Sequence, residues 1–231
     1  MDFFTNKFFL LAITFGFYFL SKVIQKKTGW LVLNPILLAI ALLICFLRCT
    51  DISYETYSEA GSLVEFWLKP AVVALGVPLY LQLKMIRKQL LPILISQLAG
   101  CIVGLVAVTI IAKLMGATPE VIMSLAPKSV TTPIAMEVSD SVGGIPSLTA
   151  AVVIVVGLFG AICGFKVLQV GHVGSPIAQG LSMGTASHAV GTSRAMEVSG
   201  KYGAYASLGL TLNGILTALL APTILHLLGL Y

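Results

Sequence analysis

Two polar stretches interrupt the apolar second half of the chain, and both gather residue types suited to holding a small anion. In the first, Lys128 stands beside the hydroxyls of Ser129, Thr131 and Thr132; in the second, Ser187, His188, Gly191 and Thr192 lie just ahead of Arg194. A lysine offers a carboxylate a point charge and an arginine a bidentate fork, while hydroxyls bond the remaining oxygens of a small polar organic anion. Glu137 and Glu197 follow at matching positions. Two roles fit them: pairing with Lys128, Arg194 or backbone donors to neutralise buried charge, or carrying a proton, since desolvation raises a carboxyl pKa. The residues alone leave both open.

The two stretches are copies of one unit. Sliding Met123–Ser139 onto Met183–Ser199 at an offset of 60 matches nine of 17 positions, including the whole Ala-Met-Glu-Val-Ser run, and the register continues through Gly143/Gly203, Ser147/Ser207 and Leu148/Leu208. Pro127 and Pro133 bracket the first polar run, while Gly184, Gly191 and small residues loosen the second. Helices are therefore expected to break within residues 119–142 and 177–200, at about 127–133 and 187–193. Thr132-Pro133 suits the start of a half-helix, and Thr192 suits the cap of its counterpart. Two half-helix N-termini aimed at the centre of a membrane would favour an anion before any side chain is counted.

The rest of the chain must hold these segments in lipid. It is 58% hydrophobic and 10% charged, with a mean hydropathy of +1.00, far from the roughly 25% charge of soluble domains. Apolar runs of about 20 residues without strict alternation indicate an all-α membrane protein, a polytopic bundle of about six to eight spans. Residues 1–231 read as one integral membrane domain, with scaffold spans mainly in 1–115 and the repeat-bearing half in 116–231. The net charge of +5 does not point to nucleic acid. Lys22, Lys26 and Lys27, then Lys84, Arg87 and Lys88, follow apolar spans as topology signals, placing the N-terminus outside.

Spans are expected at about residues 8–21, 35–46, 63–83 and 91–114. The polar connection Asp51–Ser62 reads as an external loop, and Glu65/Lys69, at favourable i, i+4 spacing, as a structural ion pair at the outer interface or else as substrate contacts. The first polar segment either crosses the membrane or re-enters on the outer side. Charge distribution favours re-entry, which makes the second copy upside down relative to the first, the arrangement that brings interrupted segments tip to tip in secondary transporters.

Cys45, Cys49, Cys101 and Cys163 show no paired spacing and read as small buried hydrophobes, so no metal site, disulfide or cofactor is expected. Ser129, Ser187 and His188 include nucleophile and base types but sit in no nucleophile-elbow pattern, so the chain is not expected to be an enzyme. A homodimer is expected from the habits of symmetric membrane assemblies.

The sequence resembles the LrgB/CidB family of membrane proteins. The resemblance rests on Asn34-Pro35, Pro70-Ala-Val-Val-Ala-Leu with Pro78-Leu-Tyr80, Pro127-Lys-Ser-Val-Thr-Thr-Pro-Ile-Ala, Gly143-Gly144 and Gly180-Leu-Ser-Met-Gly-Thr-Ala-Ser-His-Ala-Val-Gly-Thr192. It implies a place in the inner (cytoplasmic) membrane and either of two functions. One is antiholin-like or holin-like regulation of murein hydrolase activity and cell lysis with a small LrgA/CidA-type partner. The other is carriage of glycolate, glycerate or pyruvate, as in related plastid and bacterial proteins. Duplicated, broken, cation-bearing segments suit a carrier of small carboxylates better than a protein that assembles a large lesion.

Overall fold

The computed structural model describes residues 5–29, 33, 35–67, 70, 80 and 89–230, and among these the regular structure is entirely helical. The chain divides into two compact units, Met1–Ala71 and Val72–Tyr231.

In the first unit, α1 (Lys7–Thr28) packs with α2 (Pro35–Cys49) and α3 (Tyr54–Glu65). Asn6 caps α1 by accepting from the Phe8 and Phe9 N–H groups, and Gly29 ends it in the left-handed conformation (φ 68°) that lacks a Cβ penalty. α3 corrects the expected external loop. Ser53 caps it at the Thr56 N–H, and Tyr57 ties it to α1 through a 3.0 Å bond to Thr14 Oγ1, so a polar sequence becomes a helix held by its cap and one face. Lys7 and Glu59 pair at 3.3 Å. The span expected at 63–83 and the Glu65/Lys69 pair lie largely outside the described residues. Cys45 and Cys49 are exposed in this chain, contrary to the buried role expected of them; Cys101 is buried.

The second unit contains α4 (Leu90–Leu114), α5 (Pro119–Leu125), α6 (Thr132–Ser141), α7 (Pro146–Val170), α8 (Pro176–Val198) and α9 (Gly200–Leu227). α1, α4, α7 and α9 are long and apolar enough to cross a membrane, and α2 is a shorter apolar helix. The protein is thus a multi-pass, all-α membrane protein.

The first repeat copy doubles back. The Thr149 hydroxyl at the start of α7 bonds Ser139 Oγ at 2.7 Å and lies 2.9 Å from the Ser124 carbonyl, and the Ile145 N–H donates to Ser124 Oγ at 2.7 Å. A continuous helix would hold Ser124 and Ser139 about 22 Å apart at 1.5 Å per residue. Instead the chain turns at 126–131, and α6 brings Ser139 back beside Ser124 at the end of α5. Gly143 makes the exit turn at φ 83°.

The second copy does the same from the other side. α8 breaks at Ser187 (φ −129°, ψ 15°) and His188 (φ 42°, ψ −136°), so that Met183 in its first half and Ala195 in its second share one buried cluster with Ala206. Its entry half runs antiparallel to α7, with Met183 beside Gly164 and His188 beside Gly157. It runs parallel to α9, with Gly180 beside Tyr202 and Tyr205, and Gly209 beside Leu181 and Thr185. Gly184 lies so close to the Ala206 backbone that any Cβ there would overlap it. Such close backbone approach through small residues is how helices associate where lipid supplies no hydrophobic drive. One hairpin therefore opens where α7 begins and the other where α7 ends, which makes the repeats inverted.

Candidate functional site

The two hairpin tips meet in the middle of the second unit, and the residue that joins them is one the sequence reading passed over. Asn213, near the midpoint of α9 and 2% exposed, donates from Nδ2 to the Ser129 carbonyl at 3.3 Å and to the Thr185 carbonyl at 3.0 Å. Both neighbours are acceptors only, so the amide orientation is fixed. At the repeat offset, Asn213 corresponds to Val153 and His188 to Lys128. His188 in turn bonds the Val153 carbonyl through Nε2 at 2.8 Å. Each long helix thus grips the tip of the other copy's hairpin, from equivalent positions on the helices and within one residue of equivalence on the tips, as a two-fold relation between inverted repeats requires.

The symmetry stops at the side chains. His188 is 4% exposed, and its ring fills the space left by Gly157, where a Cβ would come within 2.5 Å of the imidazole. Ser187 packs on Gly160, and Gly191 on Ser187 and the Met183 carbonyl. Lys128, the counterpart of His188, is half-buried and bonds Ser129 Oγ at 3.1 Å. It lines a cavity of about 750 Å³ together with Ser129, Ser96, Gln97, Ser182, Thr185 and Asn213. A second cavity of about 570 Å³ lies along the C-terminal half of α4, and Lys128 lines that one too. Among the described residues Lys128 pairs with no carboxylate, so a cation in an apolar setting stands without a counter-charge.

The remaining sequence-chosen residues are placed apart from this cavity. Arg194 pairs with Glu197 at 2.6 Å on a surface where both side chains are well exposed, which is the neutralising arrangement for that pair. Glu137 is exposed on α6. Thr192 corrects the expected capping role: the break falls at 187–188, so Thr192 sits inside the second half-helix and donates to the His188 carbonyl at 2.8 Å. The first half-helix is likewise capped one residue earlier than expected, by Thr131 in position though not by its hydroxyl, which is buried without a partner among the described residues; Thr132 and Pro133 open the helix. Of the nine binding candidates, Lys128 and Ser129 line the larger cavity, while Ser187, His188, Gly191 and Thr192 build the opposing tip. Gln97, Thr185 and Asn213 were missed. Their signal was present as amides and a hydroxyl in otherwise apolar helices, and Thr185 and Gln97 meet at 2.7 Å.

A multi-pass helical protein whose inverted re-entrant hairpins meet beside a cation-lined cavity is the class that fold and site define. The chain belongs to the LrgB-like family, whose model matches residues 14–227. It is 37% identical to the holin-like protein CidB of Staphylococcus epidermidis over 219 residues, covering 94% of this chain and 95% of that one. It is 34% identical to the holin-like protein CidB of Staphylococcus aureus, covering 94% and 95%, and 34% identical to the protein YwbG of Bacillus subtilis, covering 93% and 96%. No solved structure matches it.

Proposed function

We propose that this protein is a secondary carrier of small monocarboxylates, 2-hydroxy or 2-keto acids of the glycolate, glycerate and pyruvate kind, and not an enzyme. The observation that carries the reading is Lys128, a cation that pairs with no carboxylate among the described residues, at the wall shared by two cavities. A charge held in low dielectric without a partner is costly, and a substrate carboxylate supplies that partner. The Ser129, Ser96 and Thr185 hydroxyls and the Gln97 amide provide bonds for a hydroxyl or keto oxygen. The larger cavity follows the N-terminal half of α4 and the smaller its C-terminal half, so in a membrane-crossing α4 the two address opposite faces. Inverted repeats with a midplane site are the architecture of alternating access. In this reading the chain sits in the cytoplasmic membrane as a homodimer with its N-terminus outside, and Glu137 and Glu197 are the candidates for proton coupling. Arg194 serves Glu197 in this conformation and approaches the substrate only if the second hairpin rearranges.

A second reading has support in the names of the relatives, which call them holin-like; the family resemblance extends it to regulation of murein hydrolase activity and lysis with a CidA-type partner. Proteoliposomes containing the purified chain alone separate the two. A carrier gives saturable uptake of labelled glycolate, glycerate or pyruvate while an entrapped fluorescent dye stays inside. Dye release without saturable uptake would favour the lesion.

A further inference from the structure

Among the described residues two line both cavities, Lys128 and Gly104. Lys128 supplies charge; Gly104 supplies nothing but room. Gly104 lies inside α4, where a glycine weakens a helix relative to alanine, so its presence calls for a local reason. Among the described residues close packing is not that reason, because a Cβ built at Gly104 meets none of their atoms within 4 Å. That contrasts with Gly184, Gly157 and Gly180, each of which has a neighbour pressed against the missing side chain. Among the described residues, space is therefore left open at the glycine shared by the two cavities.

We propose that Gly104 is the junction between the cavities, and that the size of the residue at this position sets which acids pass from Lys128 toward the far face of the membrane. This rests on the carrier reading above. The larger cavity ends at Gly104 and Leu105 on α4, and the smaller begins at Val103 and Gly104, so the two overlap within a single helical turn. A carboxylate held by Lys128 keeps the same counter-charge as it moves from one cavity to the other, because the lysine stem reaches both. Its carbon skeleton must pass over residue 104. A methyl group there meets no atom of the described residues and narrows the junction, and a leucine side chain fills more of it.

The experiment is counterflow of labelled glycolate and glycerate in proteoliposomes of the full chain, with wild type, Gly104→Ala and Gly104→Leu. Binding of both acids to each purified protein is measured by calorimetry, and folding by thermal unfolding. A purely structural role predicts that Gly104→Ala is at least as stable as wild type and transports equally well. The junction predicts equal or higher stability and retained binding, with glycerate flux lowered about ten-fold in Gly104→Ala while the smaller glycolate loses less. Gly104→Leu should lose both fluxes. Wild-type flux of both acids through folded Gly104→Leu overturns the proposal and leaves the carrier reading standing. Binding lost together with flux also overturns it, since residue 104 would then belong to the binding site. Should Gly104→Leu not fold, the size discrimination of Gly104→Ala decides: unchanged selectivity overturns the proposal. Absence of flux in wild type sinks the carrier reading itself.

Discussion

Replacing Lys128 with methionine keeps the length and apolar stem of the side chain and removes its charge. The lysine bonds Ser129 Oγ at 3.1 Å and pairs with no carboxylate among the described residues. Little is lost on substitution, and the cost of holding an unpaired cation in an apolar setting disappears. The ligand-free variant is therefore at least as stable as wild type. With ligand the balance reverses. A charge-assisted bond between the ammonium and a carboxylate contributes about 1.5–3 kcal/mol, so Lys128→Met weakens binding by about ten- to hundred-fold. At a ligand concentration about 100 times the wild-type Kd, ligand stabilises wild type by about 2.7 kcal/mol and a variant weakened hundred-fold by about 0.4 kcal/mol. Thermal unfolding in detergent with and without glycerate or glycolate reads both effects, and calorimetry gives the Kd directly. Lys128→Arg retains the charge and retains most of the ligand-induced shift. A Lys128→Met protein that folds and is stabilised by these acids as strongly as wild type would refute the assignment of Lys128 as their counter-charge.

Three further outcomes follow from the geometry. Gly157→Ala drives a Cβ to within 2.5 Å of the His188 ring, so it should lose about 1–3 kcal/mol of stability and disturb the His188 bond to Val153; a thermal midpoint equal to wild type would show that the tip is not packed in this way. Glu197→Gln breaks an exposed ion pair and should change stability by less than about 1 kcal/mol; combined with Glu137→Gln it should abolish acceleration of uptake by an inward proton gradient while exchange persists, and unchanged gradient-driven uptake in the double variant removes both glutamates as coupling groups. At the start of α3, the Glu55 carboxyl is held below the usual carboxylate range by its own backbone N–H and then by the Ser53 hydroxyl. This interaction favours the folded state above the ordinary carboxylate pKa and is lost as pH falls through the lowered value. Ser53→Ala should therefore raise the Glu55 pKa in an NMR titration, and no change would remove Ser53 from its environment.

The first hairpin was readable because proline dictates where it breaks. Pro127 and Pro133 bracket the turn, and α6 opens at Thr132. The second was readable as a region but not as a position, since no proline marks it. Its turn is made by Ser187 and His188, held by Gly157 and Gly160 from a helix about 30 residues away, a tertiary constraint that local composition does not carry. Arg194 looked central because it was counted from a break placed near Thr192; with the break at 187–188 it moves about a turn along the half-helix and out to Glu197. Asn213 was overlooked because a lone amide in an apolar span resembles any other helical polar residue until the repeat offset sets it opposite Val153. Polar composition suggested a loop where α3 forms, because Ser53 and one packed face stabilise a helix that lacks a strong apolar stripe.

The central claim is that carboxylates cross this protein through contact with Lys128. Counterflow of labelled glycolate in proteoliposomes of the chain alone, comparing wild type with Lys128→Met at matched protein content, tests it most directly. Wild type should show saturable counterflow, inhibited by unlabelled glycerate or pyruvate, and Lys128→Met a rate at least about ten-fold lower at subsaturating substrate. Equal counterflow in the two proteins would contradict it.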